Sequence, residues 1–93
     1  MARWYRADLH IHTALSACAE PEMTPPAIME RARVCRIELV AATDHNSAGN
    51  VAAMAAAGRE AGIFVVAGME VQTREDVHVL CLFESAGQAV RLQ

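Results

Sequence analysis

Two histidines that stand two residues apart, His10 and His12, are the first side chains in this sequence whose types and spacing suggest chemistry. They end an apolar, strand-like run, A-D-L-H-I-H-T. On a β-strand the side chains of residues i and i+2 point to the same face, so the two imidazoles project side by side and suit one metal ion. We expect Asp8 to share this face and to orient one of the imidazoles.

Further metal-type ligands follow in the second half of the chain. Asp44 and His45 follow one predicted strand, Glu70 follows the next, and His78 begins a fourth. In parallel α/β folds, functional sites gather at the carboxyl ends of the strands, so we expect these residues to meet the first histidine pair. Such nitrogen and oxygen ligands suit zinc, manganese or iron, and a carboxylate among histidines can bridge two ions. For Asp44, metal ligation, capping of the following helix and support of an imidazole all remain open.

The elements that position these residues can be read from the apolar pattern. We predict strands over residues 4–9, 37–43, 63–67 and 77–83. Helices are predicted from Thr24 to near Arg36, over residues 47–61 with Gly62 as the stop, and from about residue 84 onward. Strands alternating with helices predict βαβ units, and hence an α/β fold with mostly parallel strands.

The fourth strand must return differently. It follows Glu70 too closely for a crossover helix, so we predict an antiparallel hairpin. A loop of odd length over residues 74–76 pairs Gln72 with His78 and places Glu70 and His78 on one face. An even loop separates them unless a bulge intervenes.

Composition limits the function classes. Ninety-three residues make one small domain, and a net charge of −3 without any lysine argues against a basic nucleic-acid surface. No apolar run approaches the roughly 20 residues of a membrane span. The odd set of Cys18, Cys35 and Cys81 indicates reduced thiols and a cytoplasmic location, and we expect Cys35 and Cys81 to lie in the core.

Four motifs, in the order D-L-H-I-H-T, A-T-D-H-N, G-M-E and V-H-V-L, carry a family resemblance. The chain resembles the N-terminal part of a PHP domain, the polymerase and histidinol phosphatase superfamily. The resemblance implies a distorted (β/α)7 TIM-like barrel that hydrolyses phosphate esters with two or three divalent metal ions, zinc, manganese or iron. It also implies that His10 and His12 bind one ion, that Glu70 bridges it to a second held by His78, and that His45 belongs to a third site.

Cys18 lies six residues after His12, near the place where some family members carry another metal-binding histidine. A thiolate ligand and a small buried thiol are both open for it. The family also supplies ligands from later strands, and a (β/α) barrel typically needs about 250 residues. We therefore expect residues 1–93 to be an incomplete barrel, completed by a missing C-terminal part or by self-association.

These residues favour a metal-dependent phosphoesterase in which a metal-bound hydroxide attacks a phosphomonoester or phosphodiester. We expect His10, His12 and Glu70 to be the catalytic residues, and a small phosphorylated molecule to be the substrate. A non-catalytic metal-binding module and a metal-dependent exonuclease are the alternatives. The second of these would require nucleic acid as a partner, which the charge does not favour.

Overall fold

The structure, a computed structural model, describes residues 3–93. The elements follow in the order β1 (Ala7–Ile11), α1 (Pro25–Val34), β2 (Leu39–Ala42), α2 (Val51–Ala61), β3 (Phe64–Gln72), β4 (His78–Phe83) and α3 (Ala86–Leu92). The strands form one sheet in the order β1-β2-β3-β4. The first three strands are parallel and β4 is antiparallel to β3, which confirms the predicted succession and the predicted hairpin. Within residues 3–93, the helices are too short or too polar to span a bilayer.

Residue types at the helix ends account for where two of the helices begin and end. Thr24 is the N-cap of α1 and prolines occupy its first turn, as predicted, although the threonine side chain makes no capping hydrogen bond. Gly62 ends α2 with a φ of 74°, the left-handed conformation that glycine adopts without a steric penalty. The start of α2 was predicted four residues too early, at residue 47. The reason is that Asn46 still donates its backbone N–H to the Glu70 carbonyl, so the chain leaves the sheet late.

One face of the sheet is covered by helices. α1 and α2 pack on it through a cluster in which Val40 and Met54 are fully buried. A second cluster joins α2 and α3 to β3 through Val51, Met69 and Ala89. These packed helices fix the strands, and with them the residues at the strand ends.

The opposite face is open. Phe64, Leu80 and Leu82 project from it and are 66%, 43% and 48% exposed. β1 and β4 are the two edges of the sheet. The exposed edges and the uncovered apolar face are those expected of an incomplete barrel.

Several predictions about individual residues are wrong. β1 is irregular between Asp8 and Ile11, so both residues lie on the helix side, and Asp8 does not share the face of the histidines. Its carboxylate accepts a hydrogen bond from the backbone N–H of His10 and not from an imidazole. Cys35 is exposed, because α1 ends before it, and Cys81 is only half-buried, because β4 is an edge strand.

Candidate metal centre

All four histidines gather at one end of the sheet. β1 carries His10 and is followed by His12, His45 follows β2 and bridges to β3, and His78 begins β4. Their rings form a chain, with centroid separations of 5.1 Å for His10–His12, 4.4 Å for His12–His45 and 5.7 Å for His45–His78. The predicted gathering of these side chains is therefore observed.

Glu70, from β3, lies at the centre of this group and is only 6% exposed. Its Oε1 is 2.9 Å from the Nε2 atoms of both His10 and His12, and 3.7 Å from Nδ1 of His45. Its Oε2 is 2.8 Å from Nδ1 of His78. One carboxylate thus contacts histidines contributed by the other three strands or the residues that follow them.

The position of His78 follows from the hairpin register. Thr73 donates its N–H to the Val77 carbonyl, which leaves three residues in the loop, and Gln72 pairs with His78. Residues two apart on one strand share a face, so Glu70 and His78 both point away from the helices. The odd-loop prediction is confirmed.

Asp44 fixes the turn that follows His12, by direct contact with neither an imidazole nor α2. It is 3% exposed, and its carboxylate accepts hydrogen bonds from the N–H and the hydroxyl of Thr13, both at 2.6 Å, and from the hydroxyl of Ser16 at 2.7 Å. It does not cap α2, and because it holds this turn, Thr13 and Ser16 belong to the site although sequence reasoning missed them. The signal was available: two hydroxyl residues follow the histidine pair directly, in T-A-L-S.

Cys18 lies beside the histidines. Its Sγ and one ring nitrogen from each of His12 and His45 are all within 4.8 Å of one another. The thiol is exposed, so the interpretation as a small buried thiol is wrong. Two further groups of the same kind are His10, His12 and Glu70, and His45, Glu70 and His78.

The donor set fits a divalent ion. Nε2 of His10, Nε2 of His12 and Oε1 of Glu70 are mutually separated by 2.9–3.1 Å. Two ligands at right angles and about 2.1 Å from one ion are about 3.0 Å apart, so this spacing is that of neighbouring ligands. In addition, Nδ1 of His45 is buried and has no hydrogen-bond partner among the described residues. Such an atom needs an unseen partner, and a cation is one.

Contacts among these side chains shift their pKa values when no metal is bound. Burial alone would raise the pKa of Glu70, but hydrogen bonds from His10 and His78 outweigh it and hold the pKa at about 2. Burial, followed by the neighbouring His45, lowers the pKa of His12. The hydrogen bond to Glu70 raises the pKa of His78. The carboxylate is thus held ionised, which is the form that binds metal.

The family model of the PHP domain matches residues 8–91. The chain belongs to the PHP domain family. It is 37% identical over 78 residues to a 3',5'-nucleoside bisphosphate phosphatase from Chromobacterium violaceum, covering 81% of this chain and 26% of that protein.

Two solved structures resemble this PHP domain. An amidohydrolase from Chromobacterium violaceum, with bound sulfate and no metal, superposes with a TM-score of 0.73 at 36% identity, covering 83% of this chain and 27% of its own. A Bifidobacterium adolescentis protein, provisionally classed as a metal-dependent phosphoesterase, gives a TM-score of 0.67 at 32% identity, covering 84% and 27%. The likeness confirms the predicted α/β fold class, the N-terminal portion of a TIM-like barrel. The chain spans about a quarter of the length of these relatives.

Proposed function

We propose that this PHP domain chain supplies metal-binding residues of a metal-dependent phosphoesterase. The observation that carries the proposal is the buried Glu70 carboxylate, whose two oxygens contact histidines from three other segments. The names of the nucleoside bisphosphate phosphatase and of the phosphoesterase it resembles support the reaction class.

The residues divide into groups by position. His10 and His12 with Glu70 would hold one ion, and Glu70 with His78 and His45 a second. The group of Cys18 with His12 and His45 shares a histidine with each of the other two groups. It would be an alternative position for zinc, because thiolate and imidazole are zinc ligands. Divalent ions in such a site would lower the pKa of bound water toward neutrality and would neutralise charge on phosphoryl oxygens. Glu70 and the histidines would orient the ions, and the packed strands keep these side chains in place.

The substrate we propose is a small phosphorylated molecule. The net charge of −3 does not favour a polynucleotide, because electrostatic attraction to phosphates supplies much of the affinity for nucleic acid. The 3',5'-nucleoside bisphosphate named for the Chromobacterium relative is the first compound to test. We also propose that further protein completes the site, either more of a longer chain or a second copy. The open face bearing Phe64, Leu80 and Leu82 supports this.

Hydrolysis of p-nitrophenyl phosphate and of a 3',5'-nucleoside bisphosphate, with added manganese or zinc and with a chelator, tests the proposal. We expect activity that the chelator removes and that His10→Ala and His12→Ala each abolish, while Glu60→Gln on the exposed surface of α2 leaves it unchanged. Full activity in either histidine variant would overturn the assignment. Metal binding without hydrolysis would instead favour the alternative of a non-catalytic metal-binding module.

A further inference from the structure

The hydroxyl of Ser16 makes three polar contacts. It lies 2.7 Å from Oδ1 of Asp44, 3.2 Å from the backbone N of His45 and 3.0 Å from Nδ1 of His12. Ser16 is 4% exposed, so these contacts are shielded from solvent. Among the described residues, this is the only hydroxyl that contacts a ring nitrogen of the four histidines.

Counting protons assigns a direction to each contact. A hydroxyl has one proton to donate, a carboxylate only accepts, and a backbone N–H only donates. Ser16 therefore gives its proton to Asp44 and accepts the N–H of His45. Its proton is then used, so the contact to His12 is a hydrogen bond only if Nδ1 of His12 carries a proton and donates it.

Asp44 keeps the Ser16 proton in this direction. Its two oxygens accept three hydrogen bonds, two from Thr13 and one from Ser16, and the carboxylate is buried. Thr13 is itself held, because its hydroxyl accepts the side-chain amide of Asn50. All three of these hydrogen bonds are donated to the carboxylate. If the Ser16 hydroxyl turned its proton toward the imidazole, Asp44 would lose one buried hydrogen bond.

We propose that Ser16 and Asp44 are positioning residues that hold His12 as the tautomer protonated on Nδ1. The lone pair then lies on Nε2, the atom 2.9 Å from Oε1 of Glu70 and 3.1 Å from Nε2 of His10. The hydrogen bond made by one ring nitrogen sets which nitrogen binds metal. This inference rests on the proposed metal site and adds that the site's tautomer is set before metal arrives.

Removing the hydroxyl should reverse the preference. Without an acceptor at Nδ1, the nearest strong acceptor is Oε1 of Glu70 beside Nε2, so the proton of His12 moves to Nε2. Metal must then displace that proton or turn the ring. Loss of such a supporting hydrogen bond typically weakens metal affinity by about 10–100-fold.

Nitrogen-15 NMR of the histidine rings in the metal-free chain tests the inference, with His12 assigned from the His12→Ala spectrum. We expect the wild-type His12 to show a protonated Nδ1 and an unprotonated Nε2 above its pKa. Ser16→Ala should shift the ring toward the Nε2-protonated form, and Ser16→Thr, which keeps a hydroxyl, should restore the wild-type pattern. Ser47→Ala is the matched control, since the Ser47 hydroxyl contacts the N–H of Gly49 and not a histidine.

A zinc titration of the same variants gives the second readout. Ser16→Ala should bind about 10–100-fold more weakly, and Ser16→Thr and Ser47→Ala close to wild type. The inference would be overturned if His12 of the wild type is protonated on Nε2, or if Ser16→Ala shows the same tautomer as the wild type. If Ser16→Ala fails to fold, the wild-type and Ser16→Thr spectra still decide. Because the tautomer is read without metal or substrate, a missing phosphatase activity would count against the proposed function alone.

Discussion

His78 lies diagonally across the β3–β4 hairpin from Glu70, with its Nδ1 2.8 Å from Oε2 of the carboxylate. The two are not paired directly: Glu70 is opposite Leu80, and His78 is opposite Gln72. They meet because residues two apart share a face and because the hairpin loop has an odd number of residues. The contact therefore depends on the register of the hairpin as much as on the two side chains.

Strand register gives the first prediction. Inserting one glycine between Val77 and His78, inside the paired strand, should turn His78 to the helix side of the sheet and reduce bound zinc to the level of His78→Ala. Inserting two glycines restores the parity and should keep zinc near the wild-type content. Elemental analysis of wild type, both insertion variants and His78→Ala provides the comparison. A one-glycine variant with full zinc would show that the register does not control the site.

Cys18 offers a test by chemical protection. If its thiolate binds zinc with His12 and His45, added zinc should slow alkylation of Cys18 by iodoacetamide, because a coordinated thiolate is a weaker nucleophile. Cys35 is also exposed and belongs to none of the three metal-type groups, so its rate should not change. Peptide mass spectrometry reads both thiols in one sample. Equal rates for Cys18 with and without zinc would remove it from the ligand set.

The metal-free chain should show a pH-dependent contribution from His78. Its folded pKa is raised, so protonation stabilises the fold fully below the ordinary value of 6.5, and this is lost as pH rises through the folded pKa. Glu70 has a depressed pKa of about 2, so its contribution is complete above 4.5 and is lost as pH falls toward 2. The melting temperature of the wild type should therefore exceed that of His78→Gln by the largest margin between pH 4.5 and 6.5. A difference that stays constant up to about pH 9 would contradict this.

Gly58 gives a packing prediction away from the site. A Cβ there would lie 2.5 Å from Cγ2 of Val65 and 2.6 Å from the carbonyl oxygen of Ile63, so α2 would have to move off the sheet. Gly58→Ala should cost about 1–3 kcal/mol in the free energy of unfolding. Gly87→Ala in α3 is the control: only the Ser85 hydroxyl comes within 4 Å, and alanine favours a helix by about 1 kcal/mol. Urea unfolding of both variants checks the difference, and equal stability of Gly58→Ala and wild type would refute it.

Much of the site could be predicted because its physics is local. The i, i+2 spacing of His10 and His12, the strand ends before His45, and the parity of the hairpin at His78 follow from strand geometry alone. The antiparallel return was forced by the few residues available between the third and fourth strands. Gly62 likewise ended its helix as its conformational freedom implies.

What could not be predicted depends on long-range contacts. The irregularity in β1 that turns Asp8 to the helix side arises from pairing with β2, which the A-D-L-H pattern does not encode. The role of Asp44 depends on a turn 28–31 residues away in sequence. The late start of α2 reflects a hydrogen bond from Asn46 to Glu70 that forms only once the sheet is assembled.

We propose that Glu70 joins the histidines into a centre for more than one metal ion, and the metal content of zinc-saturated protein tests this most directly. We predict at least two zinc ions per chain by elemental analysis after removal of free metal. Glu70→Gln should lose most of this zinc, while Glu75→Gln, in the exposed hairpin loop, should keep it. Wild-type protein that stays free of metal, or a Glu70→Gln variant with the wild-type zinc content, would contradict the account.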